Sequence, residues 1–466
     1  MLVIPFLVLG ILYASYVLSY DQLIIPNYVR LTLEKNIEDG FYDGIIIGKI
    51  DQFDTEFFAL GNVSPEYEKP INENTKFEIA SISKLFTAIL LADLVEKGEA
   101  DLDDSIVKFL PGDLEIKKNN TKITLKQLAT HTSGLPRLPI NQTNSWREFY
   151  TSYNSEQTLE FLSLYSVKES GSFHFYSNYG YTLLGYLLET IYDSSLSKLI
   201  EEKILSELGM QDTVITQVDN KDENFAIGYR NGKPIENLQW RAPLGAGGYH
   251  STANDLIKFL SVNIGLEQPT PSTFVFTHKP LHNITSNFVG QQSLQGLGWN
   301  IVRCPGTEVI WHAGATDGFR SFIGFEPSKY WGVVVLSNSE TDVEHIGFSL
   351  LNNETFKMRE FNLNTVSSEI IDEILGVYEF SEDHKIVISK IGKQLFAQRN
   401  NEQKLKIYPE SESKFFFTDE YSYLEFKKND KSVIDTVYFS YQFHGNEKNL
   451  RYCSDSIKLI GSKIFS

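Results

Sequence analysis

Ser81-Ile82-Ser83-Lys84 sets a hydroxyl and an amine three residues apart, where a strand-like stretch gives way to a long apolar segment. Positions i and i+3 of a helix share a face, so the lysine can reach the serine hydroxyl. A partly desolvated lysine loses its proton more easily and can then take the serine's, which activates an otherwise weak nucleophile. Free N–H groups at the start of the same helix can stabilise an oxyanion. The spacing is common in itself, since S-x-x-K recurs at Ser105, Ser195 and Ser411. Context separates them. Only Ser81 opens a near-wholly apolar helix, whereas the helix headed by Ser195 carries Glu201, Glu202 and Lys203. Tyr176-Ser177-Asn178 stands in a loop just before a helix. His312-Ala313-Gly314 stands at the end of a strand, at a sheet edge where a substrate could align. Tyr-x-Asn and His-x-Gly recur at Tyr229 and His345, so each is weak alone and their order carries the signal.

Other chemistries lack their residues. There is no H-E-x-x-H or paired C-x-x-C for zinc, no G-x-S-x-G, and no G-x-x-x-x-G-K-[ST]. The chain has 466 residues, with 42 Lys+Arg against 60 Asp+Glu and a formal net charge of −18. That charge repels phosphate backbones and excludes nucleic acid as an expected partner. Cys304 and Cys453 cannot build a disulfide framework or a four-ligand zinc site by themselves. They can form one bridge or stay free, and free thiols are the expectation.

The elements that must position these residues read as follows. Gly44 to Ile50 and Phe57 to Leu60 are strands across a polar turn, and Lys76 to Ala80 is a third. Leu85 to Val95 is apolar on nearly every face, a buried helix ending at Gly98. Thr124 with Gln127 forms a capping box for a short helix to His131, whose imidazole reads as a carbonyl cap. Tyr179 to Thr190 and Leu196 to Leu208 are helices, the second stopped by Gly209. Ser251 reads as the N-cap of another, and strands return between Gly298 and Leu336. Strands, then helices, then strands describe an α+β fold in which one sheet recruits both ends of the segment and has helices packed on it. From residue 374 short strands dominate, as in a separate small antiparallel barrel or sandwich, with a C-terminal antiparallel β-barrel as the expectation. The expected division is 1–20, 21–360 and 361–466. Phe415-Phe416-Phe417, Tyr421 and Tyr423 are expected to fill the barrel core rather than bind a ligand.

Met1 to Tyr20 carries no charged side chain, and Val17-Leu18-Ser19 suits a cleavage site. Secretion or lumenal insertion is expected, with cleavage and membrane attachment through residues 1–20 both open. The N-x-[ST] triplets at Asn62, Asn119, Asn141, Asn283 and Asn353 would be glycosylation acceptors on that route. They match the roughly four that chance alone supplies, so they add no support.

With these residues in this order, the chain resembles the serine β-lactamase and penicillin-binding protein superfamily, nearest its class C β-lactamase, D-aminopeptidase and esterase branch. Leu128-Ala129-Thr130-His131-Thr132-Ser133-Gly134-Leu135-Pro136, Gly245 to Thr252 and His312 to Phe319 extend the resemblance over residues 42–338. The last hundred residues are similar to the lipocalin-like β-domain that often follows this catalytic domain. The resemblance implies that the sheet is antiparallel, with an all-α insertion. It also implies acyl transfer through a covalent Ser81 ester, with Lys84 as its activating neighbour. Tyr176 would shuttle a proton to the leaving group, its pKa lowered by nearby cations. Asn178 would hydrogen-bond a substrate amide, and the N–H groups of Ser81 and Ala315 would form an oxyanion hole. His312 and Gly314 would line the substrate strand. No metal or organic cofactor is implied. One departure matters: the third motif is His312-Ala313-Gly314 instead of Lys-Thr-Gly. A lysine there would hold a substrate carboxylate, whereas histidine is largely neutral at pH 7. An ester or a small amide or peptide is therefore expected as the substrate, with activity depending on pH between about 6 and 7. The alternative is an inactive scaffold or binding protein that keeps the fold.

Overall fold

The computed structural model describes residues 24–64, 68–139, 146–215, 223–267, 269–284, 292–353, 355–381, 384–400, 404–420, 422–441 and 457–464. The apolar segment 1–20, Asn141, Tyr421 and Cys453 lie outside the described residues. Its frame is an eight-stranded antiparallel sheet in the order Thr55–Gly61, Gly44–Ile50, Trp331–Ser337, Phe319–Glu326, Thr307–Thr316, Asn300–Cys304, Gln292–Gln295, His282–Asn283. The first strand of the chain thus pairs with one of the last in the sheet, Ile47 opposite Val335. Ile45, Ile46 and Ile47 are all buried because both faces of the sheet are covered. Ile46 faces the core built with the helices Lys84–Glu96 and Ala253–Ile264, and Ile45 and Ile47 face the one built with Asn27–Glu38 and Glu344–Leu351.

Three local expectations need correction. The helix Ala253–Ile264 is capped by Thr252, whose Oγ1 accepts the Asp255 N–H at 3.0 Å. Ser251 instead ends the strand Tyr249–Ser251, held extended by pairing with Phe77, and its hydroxyl bonds Thr213 Oγ1 at 2.7 Å. The segment from Leu196 is helical only to Ile200 and then widens into a π-turn, Glu201–Leu205, before Gly209 turns with positive φ. The Thr124–Gln127 capping box is present, but its helix stops at Ala129, because His131 adopts a left-handed φ of 57°.

A closed barrel of eight antiparallel strands runs from Gly376–Ser381 to Ile457–Ile464. Side chains alternate along a strand, and the three phenylalanines divide accordingly. Phe415 and Phe417 fill the barrel core, while Phe416 points outward into the aromatic cluster of Phe41, Phe361 and Tyr408. Core filling therefore holds for two of the three, and Phe416 with Tyr423 packs against the sheet domain. The Arg359 guanidinium lies over Phe361, Phe416 and Tyr423 and donates to the Glu420 carbonyl at 2.9 Å. The Asp342 N–H donates to the Thr418 carbonyl at 2.7 Å. These contacts fix the barrel's Thr418–Glu420 turn beside the sheet. Cys304 is disulfide-bonded, which overturns the free-thiol expectation, and no described cysteine is free. Sequence carries no Cα separation, the quantity that decides pairing. Among the described residues no helix is long and apolar enough to cross a membrane.

Thr252→Ala removes the cap of a helix that packs directly on the central strands. It should cost about 1 kcal/mol, read as a lower urea midpoint at unchanged slope.

Candidate active site

Ser81 sits in a 3-10 turn, Ala80–Ser83, that runs straight into the Lys84–Glu96 helix. Ala80 holds a left-handed φ of 49°, a conformation costing a non-glycine residue about 1–3 kcal/mol. Surrounding bonds hold it there: the Ser83 hydroxyl donates to the Ala80 carbonyl at 2.7 Å, and the Ser321 hydroxyl to the Ile79 carbonyl at 3.0 Å. Gly314 lies against the same turn, where a Cβ would collide with the Ile79 carbonyl and Ser321 Oγ.

Lys84 is fully buried, with Nζ 3.0 Å from Ser81 Oγ and donating to the Ala246 carbonyl at 2.7 Å. Among the described residues no carboxylate pairs with it. Burial drives its pKa well below the ordinary lysine value, and the Arg137 charge adds to the effect. The amine is therefore poised to be neutral and to accept a proton. The Gly245–Gly248 segment makes this geometry possible. A side chain at Gly245 would strike the Tyr181 carbonyl, and the Trp240 ring covers Gly247 and Gly248. The Ala246 carbonyl can then reach the amine.

The loop bearing Tyr176 is built on the 131–137 stretch. Ser177 N–H donates to His131 Nδ1 at 3.1 Å, Ser177 Oγ to the Pro136 carbonyl at 2.7 Å, and Phe175 N–H to the His131 carbonyl at 2.7 Å. Ser177 also caps the helix Asn178–Tyr192. His131 caps no carbonyl. Its Nδ1 accepts, and its ring lies 4.3 Å from Tyr176 and 4.9 Å from Tyr181, centre to centre. Tyr176 shares a hydrogen bond with Ser81. Burial pushes the phenol up to about 12, and the Ser81 bond and Arg137 oppose this only in part. The expected lowering of its pKa does not occur, because desolvation outweighs the nearby cation. Asn178 bonds the Tyr150 hydroxyl, and its buried Oδ1 has no partner.

His312 falls inside the strand Thr307–Thr316, not at its end. The neighbouring strand Asn300–Cys304 stops pairing at Trp311, so residues 312–316 keep one open edge. Burial drives His312 down to about 3, and its Nδ1 bonds the Ala313 carbonyl at 2.7 Å. The imidazole stays neutral across the physiological range. The expected titration between pH 6 and 7 therefore has no source in His312.

Ser81, Tyr176, Asn178, His312, Gly314 and Ala315 line one cleft of about 340 Å³, with Lys84 beneath its floor. Every residue singled out from the sequence is brought together here. Arg137, Tyr150, Arg320 and the barrel's Asp419 line it too and were not foreseen. Arg137 directly follows the Leu128–Pro136 stretch, which is the one signal that could have found it. The duplicate motifs are structural. Ser105, Ser195 and Ser411 accept backbone N–H groups from Val107, Lys198 and Lys414. Asn231 turns a hairpin, and His345 accepts the Arg359 N–H at 3.2 Å.

The family described as Beta-lactamase matches residues 58–347. The chain belongs to the β-lactamase family, a family of serine hydrolases. It is similar to a β-lactamase of Pseudomonas fluorescens, at 27% identity over 67% of this chain and 93% of that one. It is also similar to the D-alanyl-D-alanine-carboxypeptidase/endopeptidase AmpH of Escherichia coli, at 28% identity over 67% and 84%. In fold it matches the octameric penicillin-binding protein homologue from Pyrococcus abyssi, with a TM-score of 0.62 and 23% identity, covering 93% of this chain and 99% of that one.

Two outcomes follow for this family member. His312→Gln should leave the shape of the pH–rate profile unchanged between about pH 6 and 7, and a limb lost there would assign that titration to His312. Gly314→Ala should push the Ile79 carbonyl and shift Ser81, costing about 1–3 kcal/mol of stability and slowing Ser81 labelling by an acylating reagent.

Proposed function

We propose that the protein hydrolyses a small ester, amide or peptide through an acyl-enzyme on Ser81. The observation that carries this reading is the buried, acid-free Lys84 amine 3.0 Å from the Ser81 hydroxyl. As Ser81 Oγ attacks the substrate carbonyl carbon, its proton passes to the neutral Lys84 Nζ. The N–H groups of Ser81 and Ala315 would stabilise the oxyanion, a contribution of several kcal/mol in such sites. When the tetrahedral species collapses, the proton returns to the leaving group through Tyr176. A phenol held near 12 is protonated at neutral pH, which favours Tyr176 as relay and donor over first base. The unpartnered Asn178 Oδ1 suits a substrate N–H. Water then cleaves the Ser81 ester by the reverse sequence.

The β-lactamase and carboxypeptidase relatives support amide chemistry, and AmpH supports a peptide in particular. An idle scaffold is disfavoured by the amine itself. Burying an ammonium group without an acid costs several kcal/mol in its charged form, and a scaffold gains nothing by keeping it. Residues 1–20 would carry the chain to a secreted or lumenal location.

Intact-mass measurement of protein lacking residues 1–19 tests the proposal. One fluorophosphonate adduct is expected on wild type and none on Ser81→Ala. Lys84→Ala should slow labelling by about 10²–10⁴-fold. A parallel penicillin arm separates lactam from ester preference. Absence of any adduct on folded wild type would return the scaffold reading.

A further inference from the structure

The guanidinium groups around the cleft differ in one respect. Arg147 and Arg230 lie 3.6 and 3.3 Å from the Asp317 carboxylate. Arg320 lies in the field of Asp419, and its Nη1 donates to the Thr316 and Phe319 carbonyls at 3.1 and 3.0 Å. Arg137 has no ion pair or hydrogen bond from its guanidinium among the described residues; its Cζ stands 5.3 Å from the centre of the Tyr176 ring. Its backbone is nonetheless held firmly. The Arg137 carbonyl accepts the N–H groups of Asn178 at 3.1 Å and Tyr179 at 3.2 Å. The side chain is exposed and lines both the Ser81 cleft and an adjoining cavity of about 270 Å³.

We propose that Arg137 is the carboxylate-recognising residue of this site, binding an anionic group of the substrate on the Tyr176–Asn178 wall. This deepens the hydrolase reading and rests on it: the substrate class narrows to esters, amides or peptides that carry a free carboxylate near the scissile bond. Charge makes the case. His312 is buried and neutral, Lys84 serves as the proton acceptor, and Arg320 faces Asp419, so among the described residues Arg137 is the cleft-lining cation without an ion-pair partner. The chain as a whole carries −18, so an anionic substrate is repelled at long range and needs a local positive group to be held. A guanidinium is suited to that task, since its planar fork meets a carboxylate through two parallel N–H···O bonds.

The test uses two phenylacetylglycine esters that differ in the leaving group, phenol in one and 3-hydroxybenzoate in the other. Wild type is expected to prefer the carboxylated ester, in kcat/KM, by about tenfold or more. Arg137→Ala should abolish that preference chiefly through KM, and Arg137→Lys should restore part of it. Both esters are expected to slow somewhat in Arg137→Ala, because the same charge acts on Tyr176, so the ratio is the readout. Equal loss on both esters would reduce Arg137 to a prop for Tyr176 and overturn the proposal, as would a wild type without preference. Ser81 labelling by an uncharged fluorophosphonate separates the two failures. A labelled enzyme without preference sinks only the role of Arg137, whereas an unlabelled one sinks the hydrolase reading and this inference with it.

Discussion

The Lys84 amine is the constraint on which the rest of the catalytic domain depends. A group that is charged in water has been placed at zero exposure, with one backbone carbonyl and one serine hydroxyl as its partners. Desolvation favours the neutral amine, and the neutral amine is the useful form. Each nearby element serves this placement. The Lys84–Glu96 helix is buried around nearly its whole circumference, so it excludes water from its own first turn. Gly245 lies against Tyr181 and Gly185 closely enough to bring the Ala246 carbonyl to Nζ. The rings of Tyr176 and Tyr181, 5.1 and 5.6 Å from Nζ, close the remaining sides.

Neutrality extends beyond the lysine. His312 is held near 3 and Tyr176 near 12, so both are uncharged at pH 7 for the same reason, their burial. In the proposed reaction the proton-handling groups thus begin without formal charge. Charge would develop only as the tetrahedral species forms, where fixed N–H dipoles and a low-dielectric wall act most strongly. Arg137 stands at the rim of this neutral interior. Its field opposes protonation of both Lys84 and Tyr176, which would tie the proposed recognition wall to the proposed proton path.

The barrel belongs to the site as well as to the fold. Strand alternation sends Phe416 into the aromatic cluster of the sheet domain while Phe415 and Phe417 stay inside the barrel. That docking sets the Thr418–Glu420 turn at the cleft, and Asp419 becomes part of its wall. Desolvation raises the Asp419 carboxyl to about 6 against the opposing pull of Arg320, and its Oδ1 has no partner. A barrel held by aromatic packing and by Arg359 therefore supplies part of the cleft wall.

The site was legible in the sequence to the extent that its chemistry is local. Ser81 and Lys84 are three residues apart, and one apolar helix distinguished them from three look-alikes whose serines cap backbone N–H groups. What depends on tertiary proximity was not legible. The neutrality of His312 comes from burial in the sheet, and the partner of Cys304 from a separation that sequence does not encode. His131 looked like a helix cap because it follows a short helix, yet its left-handed backbone turns the ring onto Tyr176.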